Sequence, residues 1–174
     1  MDLMRCWMVI KVELRYRKAS SRELDLIMEE AEKYGKLTHE LFGVVEGRFR
    51  DVYAINENVW NTIESMKIKP YAFGTFVGTI KVDVEKFYPN IEFFYFVNVE
   101  RNYAVLKPRS AFMFTTGKGV FREGVREYRW KGSRKLVILD ENGIVLGLGL
   151  IQKDRKPLIK NITDVGEFLR RHKS

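Results

Sequence analysis

The residues of this 174-residue chain with the types needed for catalysis are few. There are two histidines, His39 and His172. A histidine-based triad needs a nucleophile and an orienting acid, and no G-x-S-x-G elbow is present. His39 falls in a segment that reads as a strand and His172 in the last residues, so packing or surface roles are expected. Cys6 is the single cysteine, which excludes internal disulfides and multi-cysteine zinc sites. It reads as a small buried hydrophobe. Thr116-Gly117-Lys118-Gly119 lacks the G-x-x-x-x-G-K-[ST] spacing of a phosphate loop and reads as a glycine-rich turn. Gly147-Leu148-Gly149 has no third glycine and no following helix, so it is not a dinucleotide fingerprint. Asp51, Asp83 and Asp164 are scattered without metal-ligand spacing. No catalytic residue, metal site or cofactor is expected.

Binding chemistry is better represented. Residues 1–100 hold 14 Lys and Arg against 16 Asp and Glu, a net of −2. Residues 101–174 hold 17 against 7, a net of +10. A short segment so poor in acids attracts polyanions, because each neutralised phosphate releases a condensed counterion. Three basic groups stand out there: Lys118, Arg122 and Arg126; Arg129, Lys131, Arg134 and Lys135, with Trp130 among them; and Lys153, Arg155, Lys156 and Lys160 around Pro157. The third follows an apolar strand directly, so it is expected to be held at the end of a rigid element. Such side chains could line a phosphate track while neighbouring rings stack on unpaired bases. Tyr128 and Trp130 read as core rather than as base platforms.

These residues need elements to hold them. Met8 to Arg17 alternates apolar and polar side chains and predicts a half-buried strand. Ser20 and Glu23 form a capping-box pair ahead of a helix from about Ser21 to Tyr34, with Gly35 as its stop. Leu37–Glu46 and Asp51–Ile55 read as strands, and Glu57–Met66 as a helix capped by Asn56. Thr75–Val84 and Ile91–Val99 read as strands joined by a turn at Tyr88-Pro89-Asn90. In the second half, Tyr103–Lys107 is a short strand stopping at Pro108, followed by closely spaced turn signals. Leu136–Leu139 and Ile144–Ile151 form a hairpin at Asn142-Gly143. Gly147 and Gly149 fall on one face of that second strand and let another backbone approach closely. Thr163–Arg171 reads as a short final element. The reading is α+β: an antiparallel sheet with helices over 1–100, then a compact, mostly β barrel over 101–174.

Composition bounds the rest. The hydrophobic share of 45% argues for a folded chain. No apolar stretch approaches the roughly 18 residues a membrane span needs. The first residues carry Asp2 and Arg5 without a long apolar run, so no secretory signal is expected. A reducing, cytoplasmic setting is expected instead. Charged residues reach 31% and Gln152 is the only glutamine, a bias that suggests a hyperthermophile.

The segment from Lys107-Pro108 through Phe114, Gly117, Val120 and Gly124 resembles the start of a PUA domain, as does the strand Gly143 to Gly149. Asp164-Val165-Gly166-Glu167-Phe168-Leu169-Arg170 closely resembles the terminal D-I-G-E-Y-[VL]-R of the Nip-seven (nuclear import protein seven) family. The first half is similar through Val52-Tyr53 before a helix and through Phe73-Gly74-x-Phe76. The resemblance implies an α+β N-terminal domain before a C-terminal PUA pseudo-barrel. It implies an archaeal, non-enzymatic RNA-binding factor of large-subunit ribosome biogenesis that takes uridine-rich single-stranded precursor RNA. Lys153, Arg155, Lys156 and Lys160 are the counterparts it suggests for RNA contact; charge alone adds Arg122 and Arg126. It also implies an archaeal homologue of the Shwachman-Bodian-Diamond protein as partner. A monomer with no membrane association is expected. A second reading is an RNA-modification enzyme or its PUA-containing accessory subunit, since PUA domains also accompany such enzymes, and a third is a protein-interaction module whose basic half meets an acidic partner.

Overall fold

The computed structural model describes residues 15–170, apart from 68, 69, 71, 154, 168 and 169. Cys6, His172 and most of the strand predicted from Met8 lie outside the described residues. The end of that strand is β1 (Arg15–Lys18). It opens a five-stranded antiparallel sheet with β3 (Phe42–Glu46), β4 (Arg50–Ala54), β5 (Thr75–Lys81) and β6 (Lys86–Pro89), in the order β1-β3-β4-β5-β6. Two further short strands, β2 (Gly35–Leu37) and β7 (Val97–Val99), form an antiparallel ribbon beside it.

Helix α1 (Ser21–Glu32) starts at the capping box expected from Ser20 and Glu23. Glu23 does more than cap. Its carboxylate is 1% exposed and accepts from Arg17 at 2.6 and 2.8 Å, Arg50 at 3.0 Å, and the Ser20 N–H and hydroxyl at 2.8 and 2.9 Å. Burial favours the neutral acid, but these hydrogen bonds outweigh it and hold Glu23 at about 2, below the ordinary 4.5. Leu26, Ile27 and Ala31 of α1 pack on Phe42, Val52 and Ile80 of the sheet. The second helix, α2 (Glu57–Ser65), is capped by the Asn56 side chain, which accepts from the Val59 N–H at 2.9 Å. It closes a separate cluster through Trp60, Ile63, Tyr53 and Phe73.

Several expectations are corrected. Gly35 does not end α1. It begins β2, where a Cβ would sit 1.8 Å from the Asn98 carbonyl oxygen of β7. The strand expected from Leu37 to Glu46 is broken between β2 and β3, which places His39 in the connection. Ile91–Phe96, read as a strand, is a 3-10 helix that buries Ile91, Phe93 and Phe94. Tyr88-Pro89, read as turn, belongs to β6. Proline is tolerated there because β6 is an edge strand that can spare an N–H.

The second half is a sheet in the order β12-β11-β10-β8-β9: β8 (Tyr103–Leu106), β9 (Val125–Arg129), β10 (Lys135–Leu139), β11 (Val145–Ile151) and β12 (Ile159–Asp164). β8 and β10 run parallel and the remaining pairs antiparallel. The expected hairpin is present. Asp140 Oδ1 accepts from the N–H groups of Asn142 and Ile144 at 2.9 and 2.8 Å, and Gly143 has φ 80°. Gly147 takes φ 154°, and a Cβ there would lie 2.2 Å from the Thr163 carbonyl oxygen. The close approach expected of this strand is thus to β12. Thr163 and Asp164 belong to β12 rather than to a separate final element.

A helix not expected from the sequence, α3 (Pro108–Thr115), follows β8 with Pro108 in its first turn. Its end is tied to the last strand. Asn161 donates to the Phe114 carbonyl at 2.7 Å, and Arg170 donates to the Thr115 carbonyl at 2.6 Å. Asp164, 2% exposed, accepts from Arg170 at 2.7 and 3.0 Å, from Asn161 at 3.0 Å and from the Gly166 N–H at 2.9 Å. Asn161 and Arg170, both held by Asp164, therefore clasp the open carbonyls of α3.

The two halves share a hydrophobic cluster. Leu136 and Ile138 of β10 join Leu106, Phe114 and Ile159 inside the second sheet. Their alternates Val137 and Leu139, with Val145 and Leu148, join Phe93, Phe94 and Ile27 of the first half. Period two sends alternate residues of β10 to the two cores. Asn102, buried and at φ 52°, bridges the joint. Its amide donates to the Lys33 carbonyl and accepts from the Lys131 N–H at 2.7 Å. Tyr34 lies at the same joint. Burial, with Glu30 adding, pushes it up to about 12 against the opposing hydrogen bond with Ser133.

Candidate nucleic-acid interface

Two connections build the site. One joins β11 to β12 and carries Lys153, Arg155 and Lys156. It closes on itself through Gln152 N–H to the Leu158 carbonyl, 2.7 Å. The other runs from α3 to β9 and carries Lys118, Phe121 and Arg122. An antiparallel bridge between Val120 and Ile159, with N–H to carbonyl distances of 2.8 and 3.0 Å, pins them side by side. Gly119 makes that possible, because a Cβ there would come within 2.4 Å of Pro157 Cγ.

The bridge brings Arg122 to Lys153, Arg155 and Lys156, and the four line one cavity of about 410 Å³ with Phe121, Glu123 and Leu158. A cleft of about 610 Å³ adjoins it across Phe121 and Glu123, lined by Lys107, Arg109 and Lys118 among others. On the other side, Arg134 shares a hollow with Lys153 and Arg155. Among the described residues none of these eight cations is in an ion pair. Among the described residues Glu123 is the only carboxylate lining the three hollows. Phe121 is 55% exposed on the rim. Trp130, expected in the core, is 38% exposed and Tyr128 45%. Lys153 Nζ lies 3.5 Å from the Trp130 ring centroid, and the indole N–H donates to the Ser133 carbonyl at 2.7 Å. That contact keeps the Lys153 ammonium over the Trp130 ring at the edge of the cluster.

Of the six residues singled out from the sequence, the fold gathers Arg122, Lys153, Arg155 and Lys156. Arg126 lies on β9, 3.7 Å from Glu141. Lys160 stands exposed on β12 opposite Leu150 and lines none of the three hollows. Sequence reasoning did not select Lys107, Arg109, Lys118, Phe121 or Arg134 for the site. Lys118 and Arg134 lay in basic groups already noted. Nothing in the sequence marks Phe121, since its place depends on the Val120 bridge.

This arrangement can hold phosphates and stack a base. His39 is packed between Phe42 and Phe96 at ring distances of 5.2 and 5.0 Å, with Nε2 2.8 Å from the Leu41 carbonyl oxygen. Thr116-Gly117-Lys118 leads out of a helix rather than into one, with the Thr116 and Gly117 N–H groups bound to α3 carbonyls. Asp51 accepts from Thr79 at 3.0 Å. Among the described residues no group of three His, Cys, Asp or Glu could hold a metal. No helix of the described residues is long and apolar enough to cross a membrane.

The comparisons with known proteins agree with this architecture. Residues 16–91 match the family model described as NIP7/UPF0113, pre-PUA domain, and residues 102–173 match the UPF0113 PUA domain. The chain belongs to the NIP7/UPF0113 family. It is similar in structure to a conserved PUA domain protein from Thermoplasma acidophilum, with TM-score 0.58 and 17% identity over 90% of this chain and 98% of that one. It is also similar to a PUA domain from Aeropyrum pernix K1 in a tartrate complex, with TM-score 0.58 and 14% identity over 90% and 89%. At these identities the likeness concerns the fold. No curated protein matches the chain.

Proposed function

We propose that this NIP7/UPF0113 family protein is a non-enzymatic, archaeal RNA-binding factor of large ribosomal subunit assembly. Its ligand is single-stranded, uridine-rich precursor RNA. The reading is carried by one observation: Arg122, Lys153, Arg155 and Lys156 converge on a hollow, unpaired among the described residues, beside the exposed ring of Phe121. Cations already neutralised by carboxylates gain little from phosphate, whereas these four are available to displace counterions. Arginine forks suit phosphate oxygens, and an exposed phenylalanine suits an unstacked base. The preference for uridine-rich strands and an archaeal Shwachman-Bodian-Diamond homologue as partner follow from the family resemblance; a cytoplasmic setting follows from the sequence composition, and the protein acts as a monomer. In this reading residues 101–174 form the RNA-binding unit and residues 1–100 contact protein or steady it.

The test is a titration of labelled oligo-uridine with the full chain across a salt series. Replacing Arg122, Lys153, Arg155 and Lys156 together by Ala is expected to weaken binding about a hundredfold and to lower the salt slope by about 3 to 4. Arg126→Ala and Lys160→Ala should do less. Unchanged affinity in the quadruple variant would overturn the assignment. Modified nucleosides appearing in precursor RNA after incubation would instead favour the modification-enzyme reading.

A further inference from the structure

A second basic and aromatic cluster sits at one end of the first sheet, remote in sequence from the basic face. Strand register places the β3–β4 turn and the β5–β6 connection at that end, since Arg50 stands opposite Ile80 and Lys81 opposite Lys86. Two rings project there, Phe49 at 42% and Tyr88 at 36% exposure. Lys81 Nζ lies 4.8 Å from the Tyr88 ring centroid and 5.9 Å from that of Phe49. Lys86 Nζ is 5.5 Å from Tyr88, and the Arg48 guanidinium 5.6 Å from Phe49. Arg15, opposite Glu46, adds a fourth cation at the same end.

The cations at this end have no carboxylate partner among the described residues. Among the described residues Arg15, Arg48, Lys81 and Lys86 form no ion pair. Of the nearby carboxylates, Glu46 is engaged with Arg17 at 2.7 Å, Glu85 with Arg22 at 3.1 Å, and Asp51, in the same cross-strand row as Tyr88, accepts from Thr79 at 3.0 Å. Asp83 is the remaining acid of the β5–β6 connection. In a half whose net charge is −2, three such cations around two exposed rings, with Arg15 at the same end of the sheet, are a local exception.

We infer that this end of the first sheet is a second contact for single-stranded nucleic acid, with bases stacking on Phe49 and Tyr88 and the four cations taking flanking phosphates. Stacking on a ring is tolerant of sequence, and a lysine's flexible stem lets its ammonium leave the ring for a phosphate as a base arrives. The inference rests on the RNA-binding reading above and extends it, because two contacts on one strand act as a bivalent grip.

The experiment uses the full chain and a long labelled oligo-uridine, by fluorescence anisotropy across a salt series. Phe49→Ala with Tyr88→Ala is expected to weaken binding about tenfold with an unchanged salt slope. Lys81→Ala with Lys86→Ala should weaken it and lower the slope by about 2. Circular dichroism melts confirm folding, and Phe49→Leu with Tyr88→Leu, which keeps bulk and removes the rings, stands in if the alanine pair does not fold. If these variants bind like the unaltered protein while the basic-face quadruple variant loses affinity, the second contact is overturned and the basic face stands. That outcome would leave the cluster to an acidic protein surface. If they lose affinity while the quadruple variant does not, this contact stands and the basic-face assignment falls.

Discussion

Glu23 shows how much one side chain can carry. It is a helix cap, the partner of two arginines and a buried charge at once. Its depressed acidity gives stability a definite pH dependence. A carboxylate whose folded value lies below its unfolded one contributes fully above the unfolded value and loses that contribution as the pH falls through the folded one. The window here runs from about 4.5 down to about 2. Glu23→Gln is expected to cost about 3 kcal/mol at neutral pH, since it leaves Arg17 and Arg50 without their shared acceptor. Urea titrations at pH 7 and near pH 3 check it: the gap between the two proteins should shrink in acid. A gap independent of pH would show that the cap, not the charge, matters. The Ser20–Glu23 pair was legible in sequence because a capping box is local; the arginines that reach it from β1 and β4 were not, since only strand register delivers them.

At the level of elements, the β11–β12 pairing depends on Gly147. Its φ of 154° and the 2.2 Å approach to Thr163 leave no room for a Cβ. Gly147→Ala should cost roughly 2 to 4 kcal/mol, combining backbone strain with a displaced strand. A thermal melt by circular dichroism would register it, and a melt unchanged from the unaltered protein would contradict it. This strand was readable beforehand, as was the hairpin before it, because Asn-Gly turns and glycines on one face are nearest-neighbour signals. Elements defined by what packs on them were not. Ile91–Phe96 has the aromatic content of a strand, yet it buries Ile91, Phe93 and Phe94, a spacing the joint between the halves imposes. Helix α3 is short and its last carbonyls are satisfied by Asn161 and Arg170, more than forty residues away. Pro108 was read as the end of β8 when it is also the beginning of a helix. The candidate site was half legible for the same reason. Charge asymmetry located the basic connections, but the Val120–Ile159 bridge decided which cations meet and left Arg126 beside Glu141.

For the whole molecule, the decisive feature is that β10 feeds both cores. Phe94, 2% exposed, lies edge-on to Tyr34 at 4.9 Å in the cluster that also holds Val137 and Leu148. The halves should therefore unfold together. Calorimetry is expected to give a single transition, and Phe94→Ala should move all of it downwards by about 10 °C, from a truncation cost near 3 to 5 kcal/mol. Two separate transitions, only one of them shifted, would refute this.

A hinge needs a seam that water can enter, and the cluster around Phe93, Phe94, Val137 and Val145 is instead buried and apolar. The two halves are then expected to move as one body. Whatever touches both halves meets them at one unvarying separation, so the partner, not this protein, has to bend to fit.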